Sequence, residues 1–237
     1  MSKIFIHIGA REDSKGVKNK NMKIISGKPL IYWTIKHAKK VNNISSILIN
    51  SDSKKIISLA KKLKINIILK RPKKIASSKT SKLEAWKYAI KYLKKRNLLS
   101  AKDIFIDFDC TCPLRNIKDT NNMIEKFKKY RKLKKNFDGL FTIIKAKKNP
   151  YFNLVEQNRL GYLKVSKKTK SKIVRRQDAP NVFEHVANTY ILKPDFILKA
   201  RSFMNGNLIG HLVQEQFSWD IDSDFDFKIA EYLLGRK

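Results

Sequence analysis

Two stretches carry residues whose types and spacing could do chemistry. The first runs Arg11, Ser14, Lys15, Gly16, Lys18, Lys20 and Asn21, which puts cations, a hydroxyl and a glycine in one short loop. That set suits a polyphosphate: arginine and lysine neutralise charge, the hydroxyl and free backbone N–H groups donate hydrogen bonds, and glycine lets the backbone close in. The loop matches neither GxxxxGK[ST] nor GxGxxG, so the two common phosphate-loop fingerprints do not apply, and a solvated basic loop is the plain alternative. The second stretch is Trp219-Asp220-Ile221-Asp222-Ser223-Asp224-Phe225-Asp226. In an extended backbone Asp220 and Asp222 point the same way. Two carboxylates on one face suit a hard divalent ion such as Mg²⁺, with phosphate and water completing its shell. Asp224 and Asp226 read instead as first-turn acids of a final helix, with Asp222 or Ser223 at its cap.

Asp109, Thr111 and Arg115 follow an apolar run and could line a site, or could form an ordinary strand-to-helix connection with Pro113 at the helix start. Arg71 has the same two readings. Arg175 and Arg176 could clamp a carboxylate bidentately or stand solvated. His185 and His211 read as core or surface histidines, and Cys110 and Cys112 as packing residues.

The elements that must position these groups follow from apolar patterning. Ile4 to Ile8 is a buried strand that small residues, Gly9 and Ala10, bring to an end. Strands are expected at 46–50, 65–69, 103–108 and 138–144, with helices to about Lys40, over 54–63, around Leu83 to Leu93, and over 117–133. This alternation predicts an α/β fold, a mostly parallel sheet with helices on both faces. In such sheets ligands collect outside the carboxyl ends of the strands, so the loops from Gly9, Asn50, Arg71 and Asp109 should converge. From about 147 to 185 the alternation lapses. Pieces at 151–155 and 162–165 around an Asn158-Arg159-Leu160-Gly161 turn read as a hairpin within an inserted arm or lid. A strand at 186–192, a short helix at 194–199 and a last helix to about Leu234 follow.

The 237 residues are 42% hydrophobic, enough for one domain spanning 1–237. No run of eighteen apolar residues and no signal pattern occurs, so a soluble cytoplasmic protein with no membrane partner is expected. Two cysteines without a CxxC pair and four histidines argue against a structural disulfide or a zinc site. The net charge of +33 raises nucleic acid as a partner. The lysines, however, spread along the polar faces of the expected helices, whereas dedicated binders gather arginine and aromatics on one face. No nucleic-acid partner is expected, and a non-catalytic basic binding protein stays as the alternative.

Three blocks together resemble the acylneuraminate cytidylyltransferases, the CMP-sialic acid synthetase family: AREDSKGVKNKN followed by GKPLIYWTI, then DCTCPLR, then WDIDSDFDFKIAEYLL. Weaker echoes are NSD at 50–52, KRPKKIA at 70–76 and RRQDAPNVFEHVANTYI. The resemblance implies a Rossmann-like three-layer fold of the nucleotide-diphospho-sugar transferase type, with an inserted β-hairpin dimerisation arm reaching a partner's site in a homodimer. It implies CTP and a nonulosonic (sialic-type) acid as substrates, a CMP-sugar and pyrophosphate as products, and Mg²⁺ as cofactor. By position it implies catalytic cations at Arg11, Lys15 and Lys20, and nucleotide contacts at Ala10, Arg11, Ser14, Asn21, Arg71 and Thr80. Sugar contacts fall at Asp109, Thr111, Arg176 and Tyr190, and metal ligands at Asp220 and Asp222. The chain departs from the family pattern at Glu12-Asp13, where two acids beside a triphosphate would repel it unless they point away. Other departures are Ser78, Cys112, Glu184, Val186 and Asp109, the last suggesting the legionaminic-type subgroup. A different sugar or nucleotide on the same fold is the remaining alternative.

Overall fold

The computed structural model describes residues 2–13, 16–77, 80–169 and 172–235; Ser14 and Lys15 of the basic loop, and Ser78, lie outside the described residues. Eleven strands and six α-helices alternate through them. The first half holds β1 (Ile4–Gly9), β2 (Ile24–Ile25), β3 (Lys28–Pro29), α1 (Leu30–Ala38), β4 (Ser46–Ser51), α2 (Lys54–Lys62), β5 (Ile67–Lys70) and α3 (Lys82–Lys95). Next come β6 (Ile104–Phe108), α4 (Ile117–Leu133), β7 (Gly139–Lys145), β8 (Val155–Gln157) and β9 (Leu163–Val165). The chain closes with β10 (Phe183–Leu192), α5 (Pro194–Lys199), β11 (Leu208–Leu212) and α6 (Asp224–Gly235).

Seven strands form one sheet in the order β11-β7-β10-β6-β1-β4-β5. The β1, β4, β5 and β6 pairings are parallel, as is β11 with β7, while β10 runs antiparallel to both its neighbours. Alternating side chains divide each inner strand between two apolar layers. Ile4, Ile6 and Ile8 face Ile31 and Ile35 of α1 and Met123 and Phe127 of α4. Phe5, Leu48 and Phe105 face Leu83, Trp86, Ile90 and Leu93 of α3 on the other side. Burying one such side chain stabilises the fold by about 1.5–3 kcal/mol, so the sheet is held rigidly from both faces and its carboxyl edge can carry a site.

Two features differ from the sequence reading. β11 was not expected, because Leu-Ile-Gly-His-Leu shows no clean alternation. It is an edge strand, and Gly210 leaves room for the Ile143 side chain of β7. β10 starts at Phe183, and its pairing with β7 is irregular between His185 and Tyr190. The hairpin appears as β8–β9, paired Val155↔Val165, with Gly161 at φ +86 in the turn. Leu160, Tyr162 and Leu163 on it are exposed. Among the described residues no helix is long and apolar enough to cross a membrane.

Candidate active site

The loops leaving β1, β5 and β6 meet above the carboxyl ends of their strands around a cavity of about 390 Å³. From the first loop Arg11, Lys20 and Asn21 line it; Arg71 and Thr80 come from the β5–α3 connection. Asp109 and Thr111 follow β6, and Asp222 closes the far wall. Eight of the residues singled out in the sequence are thus brought together. Ala10 is buried beneath them, its N–H donating to the Asn50 carbonyl at 3.1 Å.

The first and last loops are strapped to one another. The Lys20 ammonium donates to the Ile221 carbonyl and lies 3.4 Å from Asp222 Oδ1. Gly16 packs on the Asp222 carbonyl so closely that a Cβ would overlap it. The Ile221 N–H donates to the Thr111 carbonyl at 2.9 Å, which ties in the β6 loop as well. Asn21 Nδ2 holds the Arg11 carbonyl at 3.0 Å. The Asp222 side chain is 82% exposed, whereas Asp220 is half-buried.

Glu12 turns away from the cavity. Its Oε1 accepts from the Ser53 hydroxyl at 3.2 Å, at the N-terminus of α2, where a carboxylate is favoured by the unpaired helix N–H groups. Glu12 and Asp13 line a separate hollow of about 610 Å³ with Lys18, Lys23 and Lys55. The departure at these two positions therefore leaves the cavity without their charge.

Asp226 and Ser223 form a capping box at α6: Asp226 Oδ2 accepts from the Ser223 N–H at 2.9 Å and Asp226 N–H donates to Ser223 Oγ at 3.2 Å. Asp224 pairs with Lys23 at 2.6 Å. These two acids are structural, as their helix-start positions suggest.

Asp220 differs. Burial first, then the Asp109 and Asp222 charges, push its carboxyl up to about 6, with Lys20 acting in the opposite sense. Among the described residues its Oδ1 finds no hydrogen-bond partner. A buried carboxylate oxygen without a donor is costly unless something positive meets it. Hard oxygen donors on Asp220 and Asp222 fit Mg²⁺ in type, with Asp222 on the wall of the first cavity and Asp220 on that of a neighbouring hollow of about 290 Å³ beside Lys147, Glu184 and His185.

Three further sequence candidates stand outside the first cavity. Tyr190 is buried on β10 and lines an adjoining cavity of about 400 Å³ that shares Ser81, Lys82 and Trp86 with the first. Arg176 sits in an exposed turn, its Nη2 donating to the Ala146 and Lys147 carbonyls at 3.1 and 2.8 Å, so this chain's own cavity does not receive it. Arg115 is buried and serves as a brace: its guanidinium donates to the Asn188 and Asp109 carbonyls and to Thr34 Oγ1. It does not line the cavity and faces a separate small hollow with Thr120 and Asn188. Cys110 and Cys112 are buried packing residues whose thiols are pushed up chiefly by burial, Cys112 to about 12.

Sequence reasoning did not single out the polar floor of the cavity. Lys82 at the start of α3 pairs with Asp109 and lies 3.5 Å from Asp107 Oδ2. Burial, the largest single influence, pushes both carboxyls up; Lys82 together with His7 at Asp107, and Lys82 together with the Thr111 N–H at Asp109, outweighs it and leaves each below the usual carboxylate range. His7 Nδ1 meets Asp107 Oδ1 at 2.5 Å across the β1–β6 register. The signal was present: a histidine inside Ile-Phe-Ile-His-Ile and an aspartate inside Ile-Phe-Ile-Asp-Phe need each other when both runs are buried.

A mostly parallel α/β sheet with a charged cavity at its carboxyl edge places a ligand site where open α/β folds bind their ligands. The chain belongs to the cytidylyltransferase family, whose pattern matches residues 5–227, and it is accordingly a nucleotidyltransferase. It is 34% identical over 238 residues to the post-translational flagellin modification protein B of Campylobacter coli, covering 100% of this chain and 97% of that one. It is equally 34% identical, with the same coverage, to the CMP-N,N'-diacetyllegionaminic acid synthase of Campylobacter jejuni. Its fold is similar to that of CMP:2-keto-3-deoxy-manno-octonic acid synthetase complexed with CTP, with a TM-score of 0.71 over 99% of each chain at 16% identity.

Proposed function

We propose that this cytidylyltransferase couples CTP to a nonulosonic acid of the sialic or legionaminic type, releasing pyrophosphate and a CMP-sugar. The observation that carries the reading is the meeting of the first basic loop with the Asp220–Asp222 loop over the β-strand ends, joined through Lys20 and Gly16. The family, the relative in Campylobacter jejuni and the acidic Asp109 on the cavity wall support it.

In this reading the anomeric hydroxyl loses its proton to solvent as its oxygen attacks the α-phosphorus, the bond to the departing pyrophosphate breaks, and negative charge builds on the phosphate oxygens. Arg11 and Lys20 line the cavity where that charge develops and stabilise it more in the transition state than in the ground state, a role the family resemblance extends to Lys15. Arg71, Thr80, Asn21, Ser14 and the Ala10 backbone hold the nucleotide. Asp109 and Thr111 orient the sugar; Lys82 holds Asp109 ionised, so its carboxylate accepts from sugar hydroxyl or amide groups. Mg²⁺ held by Asp220 and Asp222 would polarise the α-phosphate and neutralise the leaving group. Alignment of the hydroxyl contributes much of the remainder.

Tyr190 lines the apolar recess beside the sugar groups. Arg176 lies on the arm that carries the exposed Leu160, Tyr162 and Leu163, and in a homodimer this arm would bring it to the partner's sugar site. The enzyme would work in the cytoplasm, where CTP is available, supplying activated acidic sugar for surface glycans.

The test is product formation. Purified protein with Mg²⁺, each of CTP, UTP, ATP and GTP, and a panel of nonulosonic and eight-carbon acids is analysed for CMP-sugar by mass spectrometry. CTP with a nine-carbon acid should give product; turnover confined to another nucleotide or an eight-carbon acid contradicts the reading.

A further inference from the structure

A one-way chain of hydrogen bonds crosses the floor of the cavity. Asn50 on β4 sits between two partners that fix its amide. The Ala85 carbonyl can only accept, so Nδ2 faces it at 3.3 Å; Arg71 Nε–H can only donate, so Oδ1 faces it at 3.2 Å. The same Nδ2 lies 3.1 Å from His7 Nε2. That ring nitrogen must therefore accept, which leaves the imidazole proton on Nδ1, donating to Asp107 Oδ1 at 2.5 Å. Donation runs in one direction, from Arg71 through Asn50 and His7 to Asp107.

Every member is buried, so losing a partner is costly. Burial is the main cause that lowers the His7 pKa, with Arg71 and Lys82 acting the same way against Asp107, and the ring stays neutral. A proton added to Nε2 would face the Asn50 amide donor. Turning that amide would then set its NH₂ against Arg71 Nε–H. Arg71 is held by Asn50 twice, its Nη2 also donating to the Asn50 carbonyl at 3.0 Å, and Nη1 is left without a partner among the described residues. Gly9 makes the arrangement possible, since a Cβ there would sit 2.9 Å from both Arg71 Nη2 and the His7 ring.

We propose that His7, Asn50 and Asp107 are positioning residues that set the orientation of Arg71 for the nucleotide, with the Nδ1–H tautomer of His7 as the link that carries direction. The proposal rests on the reading of Arg71 as a nucleotide contact. Its consequence is that nucleotide affinity depends on the acceptor at His7 Nε2 rather than on the imidazole's bulk.

Two measurements test it. Nitrogen-15 NMR of the wild-type protein, with the His7 signals assigned from their loss in His7→Gln, should show a protonated Nδ1 and a bare Nε2. CTP affinity is then measured by calorimetry for two variants. His7→Gln can place an amide oxygen near the Nε2 position and keep the acceptor, whereas His7→Asn can keep a donor toward Asp107 and lose that acceptor. His7→Gln should bind CTP within about threefold of wild type and His7→Asn about tenfold more weakly, the size of one misdirected hydrogen bond to a charged group. The melting temperatures of the two variants without nucleotide provide the control for a merely structural role. A proton on Nε2, an equal loss of affinity in both variants, or no loss in His7→Asn would overturn the proposal. Failure of the wild type to bind CTP would overturn the nucleotide reading itself, a result distinguishable from all of these.

Discussion

Replacing Gly16 with alanine tests whether the two strapped loops form one catalytic surface. The added Cβ would overlap the Asp222 carbonyl oxygen, which is main chain and cannot swing aside as a side-chain end would. From 2.1 Å to the 3.4 Å of ordinary contact the loops must part by about 1.3 Å, and a displacement of about 1 Å near reacting groups can cost on the order of 10²-fold in rate. The same movement stretches the Lys20 bonds to the Ile221 carbonyl and to Asp222. Gly16 is exposed and lies outside the apolar layers, so the melting temperature should fall by only a few degrees, in keeping with a cost of about 1 kcal/mol. The assay is the initial rate of pyrophosphate release from CTP with Mg²⁺ and a nonulosonic acid that the wild type accepts. A Gly16→Ala variant with wild-type rate and wild-type KM for CTP would refute the reasoning, because it would mean the basic loop works without its seat on Asp222.

Other outcomes follow from the same structure. Asp226→Ala removes the carboxylate that closes the capping box at α6 and should cost about 1 kcal/mol, read as a drop of about 2–4 °C in a thermal melt. Cys110 and Cys112, buried and with raised thiol pKa values, should not react with a thiol reagent at pH 8 in the native protein and should both react once guanidinium unfolds it; labelling of the native protein would contradict the burial. His7 is held neutral, so its pKa lies below the unfolded value of about 6.5 and it adds stability that is lost as pH falls through that value. Melting scans from pH 7.5 down to 5 should therefore show wild type losing more stability than His7→Gln, and parallel curves would count against the neutral assignment.

The sheet was legible because its central strands are runs of Ile, Leu and Phe buried on both faces, a pattern that needs no knowledge of partners. The convergence of the loops after Gly9, Arg71 and Asp109 followed from parallel topology alone, while the loop after Asn50 lines the neighbouring hollow instead. β11 escaped because an edge strand, half covered and interrupted by Gly210 and His211, carries little periodicity. The cavity floor escaped for a different reason. His7 and Asp107 are 100 positions apart and meet only through the β1–β6 register, while Lys82 looks like one more lysine on a lysine-rich helix until Asp107 and Asp109 are seen beneath it. Arg115 misled in the opposite sense: a cation after a strand end suits a ligand, yet here it satisfies the carbonyls of Asp109 and Asn188. Glu12 gave a repulsion that the fold removes by turning it onto Ser53.

The most direct test of the account is pyrophosphate release from CTP and Mg²⁺ with N-acetylneuraminic or legionaminic acid, wild type beside Asp220→Ala. The account predicts turnover in the wild type and its loss in the variant, with CTP still raising the melting temperature of both. Turnover that survives in Asp220→Ala would contradict the assignment of this carboxylate to the metal at the reacting phosphate.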